Sequence, residues 1–128
     1  MSLTVSADLL EQANKGEVND EDFVACVRTS LPYAWSVISG LVAQLPAGTG
    51  FVDNTVPPPD ETARGQLLRA MASDAMRGAL ERHFGVRLAF QNCHRVAVFG
   101  PAASEQAYVE FVSPRAQLLN QSPELVNC

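Results

Sequence analysis

The sequence predicts an α+β fold, in which N-terminal helices precede a small antiparallel sheet. Apolar residues recur every three or four positions through most of the first 84 residues, which is the helical period. From residue 86 to residue 98, large apolar side chains instead recur at every second position on either side of a polar turn, which is the period of a strand. With 128 residues, 47% of them hydrophobic, the chain suits a single globular domain over residues 1–128.

Two helices are predicted before residue 46. The first is short, with Ser6 as its cap and Gly16 just past its end. The second is long and begins at Asn19 or Asp20. Pro32 lies inside its apolar pattern, and proline lacks an amide proton and clashes with the carbonyl group one turn back. A kink or a break is therefore expected there.

A third helix follows a long loop. Residues 46–59 predict an extended connection, in which a proline run favours a polyproline-like path. Asp60 is the expected cap of a helix that runs to about Phe84 and stops at Gly85. Connections of this length within a compact domain are often functional.

The stretch GVRLAFQNCHRVAVFG, residues 85–100, predicts a β-hairpin. A three-residue loop at 92–94 pairs Gln91 with Arg95, whereas a two-residue loop would put Arg95 opposite Phe90. The three-residue loop gives one apolar face, formed by Val86, Leu88, Phe90, Val96 and Val98.

The rest of the chain predicts a third strand over 107–113, then a short helix and an irregular end. Three strands leave sheet edges and an apolar face exposed, so a homodimer is expected.

Charge is unevenly distributed. The net charge of −5 argues against a nucleic-acid partner, which would need a basic surface. Residues 1–62 hold nine acidic and two basic residues, whereas residues 64–95 hold six arginines against two acids. These segments either face each other across an internal or dimer contact, or the arginines bind an anionic ligand.

Cysteine usage and hydropathy indicate the compartment. The three cysteines, Cys26, Cys93 and Cys128, are odd in number and lack metal-like spacing, so free thiols in a reducing cytoplasm are expected. No apolar run approaches the roughly 20 residues that span a bilayer. Residues 1–17 lack the features of a secretion signal, so no membrane partner is expected.

Catalytic motifs are scarce. His94 follows Cys93, but adjacent residues of an extended chain point to opposite faces, so they do not form a catalytic pair. No chelating motif and no glycine-rich phosphate loop is present, so neither a metal nor another cofactor is expected. Arg28, Tyr33 and Trp35 cluster near the proline and either belong to the core or line a peptide pocket.

Three stretches carry a resemblance to a known family: FVACVRTSLPYAWSVISGL (23–41), GQLLRAMASDAMRGALERHFGVRLAFQNCHRVAVF (65–99) and FVSPRAQLLNQSPELVNC (111–128). They resemble the small lysinoalanine synthases of cinnamycin- and duramycin-type lanthipeptide biosynthesis. The resemblance implies a homodimer that joins a lysine side chain to dehydroalanine in a precursor peptide already carrying thioether rings. It also implies that the substrate's hydroxylated aspartate is the base, so that the protein mainly positions and desolvates the reacting groups.

Residue chemistry suggests which side chains would serve that reaction. The arginine would hold a substrate carboxylate, and the two aromatic residues near the proline would form an apolar wall. Amide and imidazole groups at the hairpin turn would donate to peptide carbonyl groups or to the developing enolate. The candidate substrate-binding residues are Arg28, Tyr33, Trp35, Gln91 and Asn92, and the candidate catalytic residue is His94.

Two other functions are compatible with the sequence. One is a non-catalytic dimeric adaptor that binds a peptide and presents it to other enzymes. The other is a regulatory protein that contacts nucleic acid through the arginines of residues 64–95, which the net acidity disfavours.

Overall fold

A computed structural model describes residues 3–45, 50–92 and 94–121, and it confirms the α+β class. Within these residues the order along the chain is three helices, one strand, two helices, two strands and two helices. Their bounds are α1 (Ala7–Asn14), α2 (Asp20–Ser30), α3 (Pro32–Gln44), β1 (Phe51–Asp53), α4 (Glu61–Ala72), α5 (Asp74–Phe84), β2 (Arg87–Gln91), β3 (Arg95–Phe99), α6 (Glu105–Phe111) and α7 (Pro114–Leu119).

The chain breaks between α2 and α3, so the long second helix is two helices. Leu31 has φ −127° and ψ 64°, which interrupts the helical backbone, and its side chain is fully buried. Pro32 is the first residue of α3, where its missing amide proton would have no helical partner and its fixed φ suits the helix. Of the two outcomes expected at Pro32, the structure shows the break.

The buried amide of Gln66, on α4, replaces a local cap for α3. Leu31 offers no side-chain hydrogen bond at this terminus. Instead, Gln66 Oε1 accepts hydrogen bonds from the backbone N–H groups of Tyr33 at 2.7 Å and Ala34 at 3.2 Å. Two of the amide protons that a helix start leaves unpaired are thereby satisfied from a neighbouring helix.

The prediction of one helix from Asp60 to Phe84 was wrong, because it is interrupted at Ser73. Ser73 has an extended backbone, and its hydroxyl accepts a hydrogen bond from the N–H of Met76, which caps α5. Arg77 Nη1 donates to the carbonyl oxygen of Met71 at 2.9 Å, which satisfies an acceptor at the end of α4. A serine within an apolar helical pattern therefore acts as a cap.

The three strands form an antiparallel sheet in the order β1-β3-β2. The predicted hairpin register is confirmed, since Gln91 pairs with Arg95 and Leu88 with Val98. The strand predicted over 107–113 was wrong: Ser104 caps α6 there by accepting from the N–H of Ala107. The third strand is β1 instead, within the stretch predicted as a loop, of which residues 46–49 lie outside the described part.

The sheet separates two apolar clusters. One face, which carries Leu88, Val96 and Val98, packs against the helices from α2 to α5. The other face carries alanines and Phe99 and packs against Phe111 of α6. This arrangement confirms the predicted apolar face of the hairpin and places α6 on the opposite side of the sheet.

The acidic segment, residues 1–62, and the basic segment, residues 64–95, contact each other within one copy of the chain. Arg82 of α5 binds Asp20 of α2 through two hydrogen bonds of 2.6 and 3.0 Å, and Arg95 lies 3.6 Å from Asp53. These pairs confirm an internal contact between the two segments of opposite charge.

The cysteines and the hydropathy of the helices bear on the predicted compartment. Cys26 is a free and buried thiol, while Cys93 and Cys128 lie outside the described residues. In the described ranges, none of the helices has the length and hydropathy that crossing a bilayer requires.

Candidate functional site

The structure separates the predicted site residues into groups. On one side of the molecule, the Arg28 guanidinium lies 5.3 Å from the centre of the Trp35 ring, a cation–π contact. The Trp35 ring also contacts the rings of His83 at 5.5 Å and Phe84 at 5.1 Å. Arg28 and Trp35 are thus brought together as predicted, on a half-buried aromatic cluster.

Tyr33 has other surroundings. Its backbone N–H is bound by Gln66, and burial together with the negative charge of Asp60 raises the pKa of its phenol above the usual value. Both effects favour the neutral hydroxyl form, which can donate a hydrogen bond.

His94, the candidate catalytic residue, is fully buried. Its Nδ1 lies 2.8 Å from the carbonyl oxygen of Asn92, and its own carbonyl oxygen accepts a hydrogen bond from Asn54 Nδ2 at 3.2 Å. Its Nε2 has no hydrogen-bond partner within the described part of the chain. The imidazole in this position braces the hairpin turn through Asn92 and is buried beneath the protein surface.

Gln91 and Asn92 fasten the C-terminal helices to the hairpin. Gln91 Nε2 donates to the carbonyl oxygen of Phe111 at 2.8 Å, at the end of α6. Asn92 has a left-handed backbone with φ 57°, a conformation that asparagine tolerates better than most residues. Its side chain accepts hydrogen bonds from Gln117 and Gln121 and donates to the carbonyl oxygen of Asn120. We call Gln91, Asn92, Gln117 and Gln121 the amide clamp.

The helices held by the amide clamp form one wall of a cavity of about 290 Å³ beside β1. Phe51 forms the opposite wall, stacked on Phe99 at 4.8 Å and meeting Phe111 edge-on at 6.3 Å. We call this cavity the edge groove, and its lining residues are Phe51, Ala107, Glu110, Phe111, Arg115, Ala116, Leu119 and Asn120.

β1 is an open edge of the sheet within the described residues. The N–H of Gly100 donates to the carbonyl oxygen of Gly50, and the N–H of Asn54 donates to Val96. Because inward and outward backbone groups alternate along an antiparallel strand, the N–H and C=O groups of Phe51 and Asp53 point away from β3. The edge therefore offers two pairs of backbone groups to another strand.

The opposite edge, at β2, is partly occupied by side chains. The N–H of Leu88, which also points away from β3, donates to the Glu81 carboxylate at 2.9 Å. Arg87 binds Glu105 at 2.9 Å, and its guanidinium lies over the Tyr108 ring at 3.4 Å. Side chains thus hinder pairing of another strand with the first half of β2.

Sequence reasoning missed the edge groove, because it took Phe51 for a loop residue and α6 for a strand. The available signal was the pair Phe51-Val52, two residue types that favour strands, directly before Asp53. It did find Gln91 and Asn92, which hold the groove wall in place.

Comparison with known proteins places the chain differently from the lanthipeptide resemblance. A family model described as "NucS shadow ORF" matches residues 1–128, the full length. No curated protein and no solved structure gave a match. The resemblance to lysinoalanine synthases was therefore wrong, since all three stretches that carried it lie within the match to another family.

Proposed function

This chain belongs to the family described as NucS shadow ORF, and we propose that it works as a non-catalytic adaptor that binds an extended peptide segment of another protein. The lysinoalanine reaction was implied only by the resemblance that the family match overturns. The family description states neither a ligand nor a reaction. The proposal therefore rests on the geometry of the edge groove.

The observation that carries the proposal is that an open sheet edge lies beside an apolar cavity. A peptide that adds to a sheet edge gains affinity from main-chain hydrogen bonds and specificity from pockets for alternate side chains. The outward N–H and C=O groups of Phe51 and Asp53 can supply the main-chain hydrogen bonds, and the edge groove can supply a side-chain pocket. Because the Glu81 carboxylate already binds the outward N–H of Leu88 on β2, β1 is the edge that better suits a partner.

The groove suits an apolar side chain. Phe51, Phe111 and Leu119 line it, and Phe51 and Leu119 are 43% and 64% exposed. Glu110 and Arg115 at the rim form an ion pair of 3.7 Å. Such exposed pairs contribute about 0–1 kcal/mol, so they can open for a ligand at little cost.

The amide clamp supports binding by fixing the groove wall in advance. α7 is only six residues long, and such a short helix is marginal on its own in water. The Asn92 side chain holds it against the hairpin by accepting a hydrogen bond from Gln117 and donating one to the carbonyl oxygen of Asn120. A preformed wall lowers the ordering cost of binding, because fewer groups lose freedom when a peptide arrives.

The first test is selection of binders from a displayed library of random linear dodecapeptides, followed by calorimetry with the synthetic winners. Leu119→Arg places a charge in the groove and should weaken binding roughly tenfold to a hundredfold, as expected for loss of one buried aliphatic contact. Leu118→Arg is the matched control, since Leu118 is 73% exposed and does not line the groove. Its affinity should equal that of the unaltered protein.

Two outcomes would contradict the proposal. If no peptide is enriched, or if both arginine variants bind the winners equally well, the groove is not a peptide site. The bound peptide should also be recovered with unchanged mass and unchanged fragmentation. A new crosslink or other modification would instead indicate an enzyme.

We also propose that the adaptor is a homodimer, as the exposed apolar residues suggest. Sedimentation equilibrium over a range of concentrations measures this directly. Asp53→Pro removes one outward N–H of β1 and leaves the hydrogen bonds to β3 intact. An edge strand tolerates proline at a position whose N–H faces away from the neighbouring strand. A dimer that persists in this variant leaves the edge free for a peptide. A dimer that dissociates would mean that a second copy, and not a peptide, occupies β1.

A further inference from the structure

We propose that the edge groove selects peptides with a basic residue two positions before an apolar residue, bound antiparallel to β1. This inference rests on the proposed function, because it names the partner of the same site. The observations that carry it are the register of β1, the carboxylate of Asp53 and the position of the groove beside Phe51.

The register determines which peptide side chains reach the site. In an added strand, the residues opposite Phe51 and Asp53 are two positions apart, and their side chains lie on the same face as those two residues. That face carries Phe99 and packs against α6. The peptide residue opposite Val52 projects from the other face and has no role in recognition at the groove.

Antiparallel pairing is favoured because it is slightly more stable per residue and continues the pattern of the sheet. A peptide in this direction meets Asp53 first and Phe51 second. The order from N to C terminus is therefore the residue beside Asp53, a spacer and the residue beside Phe51. A parallel peptide would require the reverse order.

The position beside Asp53 suits a cation. The Asp53 side chain is 30% exposed, whereas its partner Arg95 is 13% exposed, so the carboxylate is the more accessible of the two charges. The atoms nearest each other are Arg95 Nε and Asp53 Oδ2, at 3.6 Å, which is too long for a good hydrogen bond. A lysine or arginine of the peptide can bind this carboxylate, and the net charge of −5 attracts basic peptides.

The position beside Phe51 suits an apolar side chain. Phe51 lines the edge groove together with Phe111 and Leu119, and the groove volume of about 290 Å³ accommodates one large side chain. A residue opposite Phe51 projects from the face that the groove opens on. Burial of that side chain supplies affinity, while the charge two positions earlier supplies selectivity.

The test compares blocked nine-residue peptides that differ only in a central triplet, flanked by threonine and serine. The triplets are Lys-Thr-Leu, Glu-Thr-Leu, Lys-Thr-Gly and the reversed Leu-Thr-Lys. Titrations followed by amide NMR shifts should show the first as the tightest binder. Replacing lysine by glutamate should weaken binding roughly tenfold, since it exchanges an attraction for a like-charge contact.

Variants of Asp53 connect the preference to its carboxylate. Asp53→Asn should bind the lysine and glutamate peptides equally, and Asp53→Lys should prefer glutamate. Equal binding of both peptides to the unaltered protein, or tighter binding of the reversed triplet, would overturn the motif. If library-selected peptides still bind and Leu119→Arg still weakens them, the proposed function stands without the motif. If no peptide of either set binds, both proposals fail.

Discussion

A single buried amide determines where the third helix starts. Gln66 binds two N–H groups at the start of α3 from a different helix, so α3 begins at Pro32 without a local capping side chain. The sequence around Pro32 predicted an interruption but could not identify this partner. The two positions are more than 30 residues apart, and no local pattern connects them.

Replacing Gln66 by methionine should destabilise the protein by about 1–3 kcal/mol, because the amide protons of Tyr33 and Ala34 would lose their acceptor in a buried place. Gln66→Glu is the matched control. It retains an acceptor oxygen, and its negative charge suits a helix N-terminus. Urea unfolding measures both variants, and equal losses would show that Gln66 acts through packing alone.

At the level of secondary structure elements, one ion pair connects α2 to α5. Arg82 donates two hydrogen bonds to Asp20, and these hold the pKa of the Asp20 carboxyl below the usual aspartate value. A carboxyl with a lowered folded-state pKa stabilises the fold above its unfolded pKa. That contribution is lost as the pH falls through the folded pKa.

We expect Arg82→Gln to raise the pKa of Asp20 toward the usual value and to reduce the acid dependence of stability. A carbon-detected NMR titration of the Asp20 carboxyl measures the shift. Arg77→Gln serves as control, because Arg77 lies on the same helix but binds Asp74. An Asp20 pKa that does not change in Arg82→Gln would mean that another group lowers it.

The elements also show which sequence signals succeed. Local signals were reliable: Ser6 and Asp60 cap helices as predicted, Gly85 ends α5 with φ 66°, and the polar turn sets the hairpin register. Ser73 was missed, because a serine in an apolar helical pattern resembles an exposed helix position. The structure shows instead that its hydroxyl accepts a hydrogen bond from the N–H of Met76.

The two strand errors had a different physical origin. Tyr108-Val109 favours strands by residue type, but the cap at Ser104 and the packing of Ala107 and Phe111 one turn apart produce a helix. β1 is only three residues long, and it is a strand because β3 lies beside it. Tertiary contacts thus overrode local preference in both places.

Across the whole molecule, the candidate site was predicted only in part. Gln91, Asn92 and His94 were selected for their chemistry, and they stand together at the hairpin turn as expected. Their polar groups, however, brace the turn or hold α6 and α7. The open edge and the groove arise from strand order and helix placement, so residue chemistry alone could not reveal them.

The position of β1 also has a consequence for the order of folding. β2 and β3 are joined by a short turn, whereas Val52 and Val98 pair across two intervening helices. Closing a longer loop costs more entropy, and such pairings form late.

We therefore expect native-state hydrogen exchange to release the Val52 amide at lower free energy than that of Ala97. Equal values would indicate one cooperative unit. If Val52 exchanges at lower free energy, the β1 edge that binds a peptide forms last during folding and opens first in the folded protein. A bound peptide would then stabilise the fully folded chain and slow exchange in β1.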